Sequence, residues 1–276
     1  MTPRYDRRWT AISLGVWALS LIVYPSPSLA QVGAGLLPDI VEEISHIQIV
    51  NQQQEEILRF STTHWNQGAG PLQIHGADQT GPCPPELQDQ GSVCTFAEQE
   101  VLDAFGNVVA TYDAGVSVFH IEHNHWHQSD VAKFELHAGT VDGPIVAENT
   151  KVTFCLIDYD SDPAFVSRRS ERVYFDCDGV FQGISVGWGD EYHHSTPLQD
   201  MNITGIPAGV YYLTHLANPA GNWRKSNYTN NDSWVALKIT RKGANPEVTV
   251  LSKAPCPVTD PLSPNYQILC GNTSNK

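Results

Sequence analysis

Short runs in which apolar and polar residues alternate, each closed by Gly, Pro or Asn, constrain this chain more than any other feature. The clearest is Lys151–Ile157, where Val152, Phe154 and Leu156 point one way and Lys151, Thr153 and Cys155 the other. Val131–His137 repeats the pattern with Ala132, Phe134 and Leu136, and Trp234–Thr240 repeats it with Val235, Leu237 and Ile239. A period of two is the mark of a half-buried strand. Phe105-Gly106-Asn107, between Glu98–Ala104 and Val108–Asp113, reads as a hairpin turn. Pro207-Ala208-Gly209 reads as the turn of a second hairpin, joining Met201–Ile206 to Val210–Leu216. Ile44–Val50 and Glu56–Thr63 read as strands, although Glu42–Leu58 also scores as helix. Many short strands and few helix signals predict an all-β fold, a β-sandwich with long loops and few or no helices.

The first 30 residues stand apart from this pattern. Arg4, Arg7 and Arg8 lead an apolar run from Ala11 to Tyr24, and Ser28-Leu29-Ala30 supplies small residues for cleavage. The run is short for a membrane span. Residues 1–30 are therefore read as a secretory signal, with an uncleaved anchor as the alternative, and residues 31–276 as one all-β domain long enough for a real core, with no membrane segment. Loss of the signal takes the net charge from −14 to −16. That acidity argues against a nucleic-acid partner and favours encounter with cationic amines or a Lys-rich polypeptide. It serves solubility equally well. Six cysteines in an exported chain suggest three disulfides. Fifteen pairings are open, and the spacing favours Cys83–Cys94, Cys155–Cys177 and Cys256–Cys270. The expected location is extracellular, or periplasmic in a bacterial host.

His123, His125 and His127 alternate within the run Val116–His127, and His120 lies three residues upstream. In one continuous strand the three imidazoles share a face. Copper and zinc both take imidazole ligands. Three histidines on a solvated strand face are the plainer alternative. The offset of His120 puts it on the opposite face unless a bulge re-aims it.

The segment His120-Ile-Glu-His123-Asn-His125-Trp-His127 resembles the copper-binding segment of the lysyl oxidases. Four further stretches follow in that family's order. They are Lys151-Val-Thr-Phe-Cys-Leu-Ile-Asp158, Gln182-Gly-Ile-Ser-Val-Gly-Trp-Gly-Asp190-Glu-Tyr192, Pro207-Ala-Gly-Val-Tyr-Tyr212 and Ser226-Asn-Tyr-Thr-Asn-Asn231. The resemblance implies that His123, His125 and His127 hold copper, with His120 a neighbour behind them. It implies that Lys151 and Tyr192 form lysine tyrosylquinone, a built-in cofactor. Formation needs a copper-dependent oxidation of the phenol ring and an amine on a flexible stem to add to it, which Lys supplies. The implied reaction converts a primary amine and O₂ to an aldehyde, ammonia and hydrogen peroxide. Asp190, on the face of Tyr192 in an extended strand, is the candidate base. Glu191, His193 and His194 compete for that role.

The resemblance also implies a calcium site, with Asp39 and the Ile40 carbonyl on one side and Asn227, Asn230 and Asn231 on the other. Here the sequence departs from the family: Lys225 and Asn227 stand where the family has acidic residues. Local Asx turns account for the Asn-rich stretch equally well. The family cysteines nearest the histidines and the tyrosine are also absent. Three functions follow from these residues: a copper- and quinone-dependent amine oxidase, a non-catalytic extracellular copper or zinc binder, and a three-histidine zinc hydrolase.

Overall fold

The computed structural model describes residues 34–149, 153–162, 165, 169–196, 199–243 and 245–254. The expected signal, Lys151 and the Cys256–Cys270 pair lie outside the described residues. In chain order the strands are β1 (Ile40–Gln52), β2 (Glu55–Asn66), β3 (Leu72–Gly76), β4 (Gly81–Pro82), β5 (Val93–Leu102), β6 (Val108–His120), β7 (His125–Gln128) and β8 (Ala132–Ala138). There follow β9 (Ile145–Asn149), β10 (Asp160–Ser161), β11 (Phe181–Ile184), β12 (Trp188–Tyr192), β13 (Met201–Asn202), β14 (Gly209–Ala217), β15 (Asp232–Lys242) and β16 (Asn245–Ala254). A 3₁₀ turn at Pro85–Leu87 is the one helical element among the described residues. The fold is all-β, as the alternation predicts.

The strands form three antiparallel sheets. The first runs β1-β2-β12-β10, with β13 also on β2; the second runs β11-β3-β5-β6-β7, with β4 on β5; the third runs β16-β15-β14-β8-β9. Strand β1 packs across β14, β15 and β16, so the first and third sheets face one another. Ile40, Leu58, Phe60, Phe134, Leu136, Leu213, Leu237 and Ile239 are sealed between them. The apolar face of each alternating run is what these sheets hide from water.

The strand reading of Ile44–Val50 and Glu56–Thr63 holds and its helical alternative falls, while two expectations change. Glu42–Leu58 is not helical: β1 and β2 form a long hairpin whose tip, Gln53-Gln54, has positive φ at both residues, the geometry of a two-residue turn matched to strand twist. Met201 and Asn202 pair with Leu58 and Ile57 on β2, not with β14, which pairs with β8 and β15. The clearest alternation, Lys151–Ile157, does not join a sheet along its described part. Phe154 and Leu156 are fully buried, but so is Thr153, and Cys155 is nearly so. With both faces covered, its backbone finds other partners: Gln128 in both directions, the Gln182 side chain and the Tyr192 hydroxyl.

Three titratable side chains are sealed in the same interior: Glu42, His64 and His215. Burial pushes the His215 imidazole down to about 3, against the opposing pull of the Glu42 carboxylate. Burial alone raises Glu42, but the neighbouring His215, His64 and Lys225 together hold its carboxyl below the usual range.

Candidate functional site

The histidine run is not one continuous strand. Strand β6 ends at His120, the chain turns through residues 121–124, and β7 starts at His125. Asn124 sits in the left-handed region at φ 56°, which Asn adopts more readily than most residues. The hairpin pairs His120 with His125 and Val118 with His127. Directly paired residues share a face, so His120, His125 and His127 project together, and His123 reaches them from the turn. The argument that placed His120 on the opposite face fails because a turn interrupts the count. His120 stacks on His123 with centroids 4.2 Å apart, and nitrogens of His120, His123 and His127 lie within 4.8 Å of one another.

Two closer pairs share His127 Nε2. His125 Nε2 is 2.9 Å from His127 Nε2, and His123 Nδ1 is 3.4 Å from the same atom. A metal bonded to imidazole nitrogens at 2.0–2.1 Å requires N···N separations of about 2.9–3.4 Å for angles between square and tetrahedral. Both separations fall in that range, while the three nitrogens that all lie within 4.8 Å of one another are those of His120, His123 and His127, so the cluster offers His127 with His123 and either His125 or His120 to a cation. The other nitrogen of His127 meets the Thr153 hydroxyl at 3.2 Å, and that hydroxyl donates to Gln90 Oε1 at 3.2 Å. This leaves Nε2 of His127 turned to the cluster. Neither Thr153 nor Gln90 carries a signal visible in the sequence.

Strand β12 brings the second half of the site. Asp190 and Tyr192 pair with His64 and Thr62 on β2 and lie on one strand face, as their spacing predicts. The Tyr192 hydroxyl accepts from the Cys155 amide at 2.6 Å and donates to the Cys155 carbonyl at 3.1 Å. Its ring meets Phe154 edge-on at 4.5 Å. Tyr192 is partly exposed as a residue, yet its hydroxyl is enclosed; burial, then the nearby Asp190 carboxylate, hold the phenol well above its ordinary range. A cavity of about 330 Å³ is lined by His123, His125, His127, Asp190, Glu191 and Tyr192. The structure thus brings the three histidines, Asp190 and Tyr192 to one cavity. Asp190 is buried within it. His193 bonds Ser195 at 2.8 Å, and its ring lies tilted against His194 with centroids 3.8 Å apart. Lys151 lies outside the described residues, two positions before Thr153.

Loops hold these pieces in place. Among the described residues two disulfides are present, Cys83–Cys94 and Cys155–Cys177, as spacing suggested. The Cys177 carbonyl accepts from the Trp126 amide at 2.8 Å, which ties the histidine strand to the disulfide. Gln182 donates to the Trp126 carbonyl and accepts from the Leu156 amide. Asp158, fully buried, accepts from the amides of Val173, Tyr174 and Ser185 and from the Ser185 hydroxyl at 2.6–3.1 Å. Such a carboxylate replaces a local sheet by gathering loop amides.

The calcium residues behave differently. Asn230 donates to Asp39 Oδ1 at 3.0 Å, so the two segments do meet. The buried Lys225 ammonium, however, lies 3.4 Å from the Ile40 carbonyl oxygen, one of the donors a calcium ion would need. Asn227 accepts from its own loop at Thr229, an Asx turn. A fixed positive charge against the donor set does not fit a calcium ion.

Comparison with known proteins agrees with the resemblance in sequence. The lysyl oxidase family model matches residues 111–248, half of the chain. Lysyl oxidase homolog 3B of Danio rerio and lysyl oxidase homolog 3 of Homo sapiens are each 36% identical over 115 residues, 41% of this chain and 13% and 14% of theirs. Lysyl oxidase homolog 2 of Xenopus laevis is 32% identical over the same length. The chain spans about one-seventh of the length of these relatives. By the extent of the family match, and by the histidine hairpin and tyrosine strand that fall within it, this chain belongs to the lysyl oxidase family.

Proposed function

We propose that this protein is an exported amine oxidase that uses copper and a lysine tyrosylquinone to convert primary amines to aldehydes. The observation that carries the reading is the shared cavity of His123, His125, His127, Asp190 and Tyr192. The imidazoles of His123, His125 and His127 would hold copper, with His123 and His125 each close to His127 Nε2. A copper ion held there would supply redox chemistry with O₂; Tyr192 is the phenol ring available for oxidation to a quinone, and Lys151 is the amine that would add to it. Zinc, being redox-inert, supplies none of this.

The protein's own groups have distinct tasks. Thr153 orients His127. The Cys155 backbone holds the Tyr192 hydroxyl while burial keeps it protonated, so the ring stays fixed. Asp190 lines the cavity and would take the proton lost from the substrate carbon. Glu191 lines the same cavity, pairs with Thr63, and stays the alternative base. The two disulfides support folding in an oxidising compartment. Among the described residues no helix is long and apolar enough to cross a membrane.

The test is redox-cycling quinone stain on the copper-loaded protein, with Tyr192→Phe as control, alongside peroxide release from alkylamines, polyamines and Lys-rich peptides. A stained band lost in Tyr192→Phe is the expected result. An unstained wild type with an unmodified intact mass would leave a metal-binding protein without turnover.

A further inference from the structure

A second cluster of metal-ligating groups lies in the interior, and neither the proposed reaction nor the sequence motifs use it. Glu42 on β1 and His64 on β2 are directly paired across the hairpin. His215 on β14 meets them from the opposing sheet. Glu42 Oε2 is 2.7 Å from His64 Nδ1 and 3.1 Å from His215 Nε2, and the two rings sit 5.0 Å apart. One donor atom from each of the three lies within 4.8 Å of the others, and all three side chains are sealed from solvent.

These contacts are short but poorly directed: Glu42 lies at ion-pair distance from both rings, yet the nitrogens of His64 and His215 and the oxygens of Glu42 lack well-aligned hydrogen-bond partners. Ser233, paired with His215 on β15 and so on its face of the sheet, adds a buried hydroxyl in the same condition. Phe154 packs on His64 and Phe134 on His215, walling the cluster with apolar rings. Buried polar groups are ordinarily satisfied, because leaving them bare in an apolar surround costs free energy. One donor atom from each of the three residues converges here, sealed from water and poorly satisfied by the protein's own groups.

The geometry points to a structural site for a divalent ion of the zinc class, bound by Glu42, His64 and His215 with Ser233 or one water in the fourth place. Two imidazoles and a carboxylate suit zinc, whereas calcium and magnesium want oxygen donors throughout. Lys225 stands near, but it faces the carboxylates of both Glu42 and Asp39, so the region keeps one negative charge to meet the ion. Because the ligands come from both packed sheets, the ion would staple the sandwich. A catalytic role is excluded by burial.

Zinc content of the full chain separates this site from the histidine hairpin. Wild type dialysed against zinc is expected to hold two equivalents. The His123→Ala/His125→Ala/His127→Ala variant is expected to keep one, and adding His215→Val is expected to remove it, with circular dichroism confirming the fold. Cobalt in the triple variant should show the visible absorption of a tetrahedral ion, and a chelator should lower its melting temperature by several degrees. A folded His215→Val protein that still holds two equivalents overturns the proposal. So does a triple variant that holds no zinc, even if His215→Val itself fails to fold.

Discussion

The Tyr192 hydroxyl closes on both backbone groups of Cys155, accepting from its amide at 2.6 Å and donating to its carbonyl at 3.1 Å. A side chain from β12 thereby does for Cys155 what a neighbouring strand does elsewhere. Tyr192→Phe leaves that amide and carbonyl without this partner inside the protein. The expected loss is about 1–3 kcal/mol of stability, read by urea unfolding of protein that has never been loaded with copper. A variant as stable as wild type would show that water or a shifted loop replaces the hydroxyl.

Thr153 makes its contact with His127 through a hydroxyl alone. Thr153→Val keeps the shape and removes the hydrogen bond, so His127 loses the group that fixes its orientation. Partners of this kind change metal affinity by roughly 10- to 100-fold. Competition against a chromophoric chelator should show weaker copper binding of that order with little change in melting temperature. Unchanged affinity would mean that Thr153 has no part in orienting the ring.

Asp190→Asn keeps the size of the side chain and removes its basicity. If Asp190 takes the substrate proton, amine oxidation should fall by roughly 10²–10⁴-fold while quinone staining persists. Glu191→Gln should have little effect. The reverse outcome would transfer the role to Glu191.

Arg241 grips Glu56 with two 2.6 Å bonds and ties β15 to β2. Hydrogen bonding to Arg241 holds the Glu56 carboxyl below its usual 4.5. A depressed folded value means the contribution is full above the unfolded value and fades as pH falls through the folded one. The pair is partly exposed and screened, so it should be worth about 0.5–1 kcal/mol at neutral pH. The stability gap between wild type and Glu56→Gln should therefore narrow below pH 4.5; a gap constant down to low pH would refute the pairing.

Asp158 gathers four donors with no water between. Asp158→Ala strands all four and should cost about 3 kcal/mol or more. Thermal melts test this, and near-wild-type melting would show that the loops repack.

Period-two alternation was enough to identify the all-β class, the inward faces of β8 and β15, and the Phe105–Asn107 hairpin. Those features depend on local pattern, and the pattern survives whatever partner strand arrives. Motif order was likewise enough to pick out His123, His125, His127, Asp190 and Tyr192 as one group. It could not show the turn at 121–124, because His-x-His-x-His reads the same in one strand as across the start of a hairpin. That turn decides where His120 points.

The rest belongs to pairing between distant segments. Lys151–Ile157 carries the cleanest alternation in the chain, yet its described part lies outside the sheets, because both its faces are covered and its amides go to Gln128, Gln182 and Tyr192. Glu42, His64 and His215 are unremarkable as letters in a sequence. They become a cluster only because strand register sets Glu42 beside His64 and sheet packing lowers His215 onto both. The sequence by itself determined which residues prefer water and which avoid it, since that preference belongs to each side chain. Only the tertiary structure decided which polar groups share a sealed interior, since that depends on contacts such as the one between Glu42 and His215, 173 positions apart.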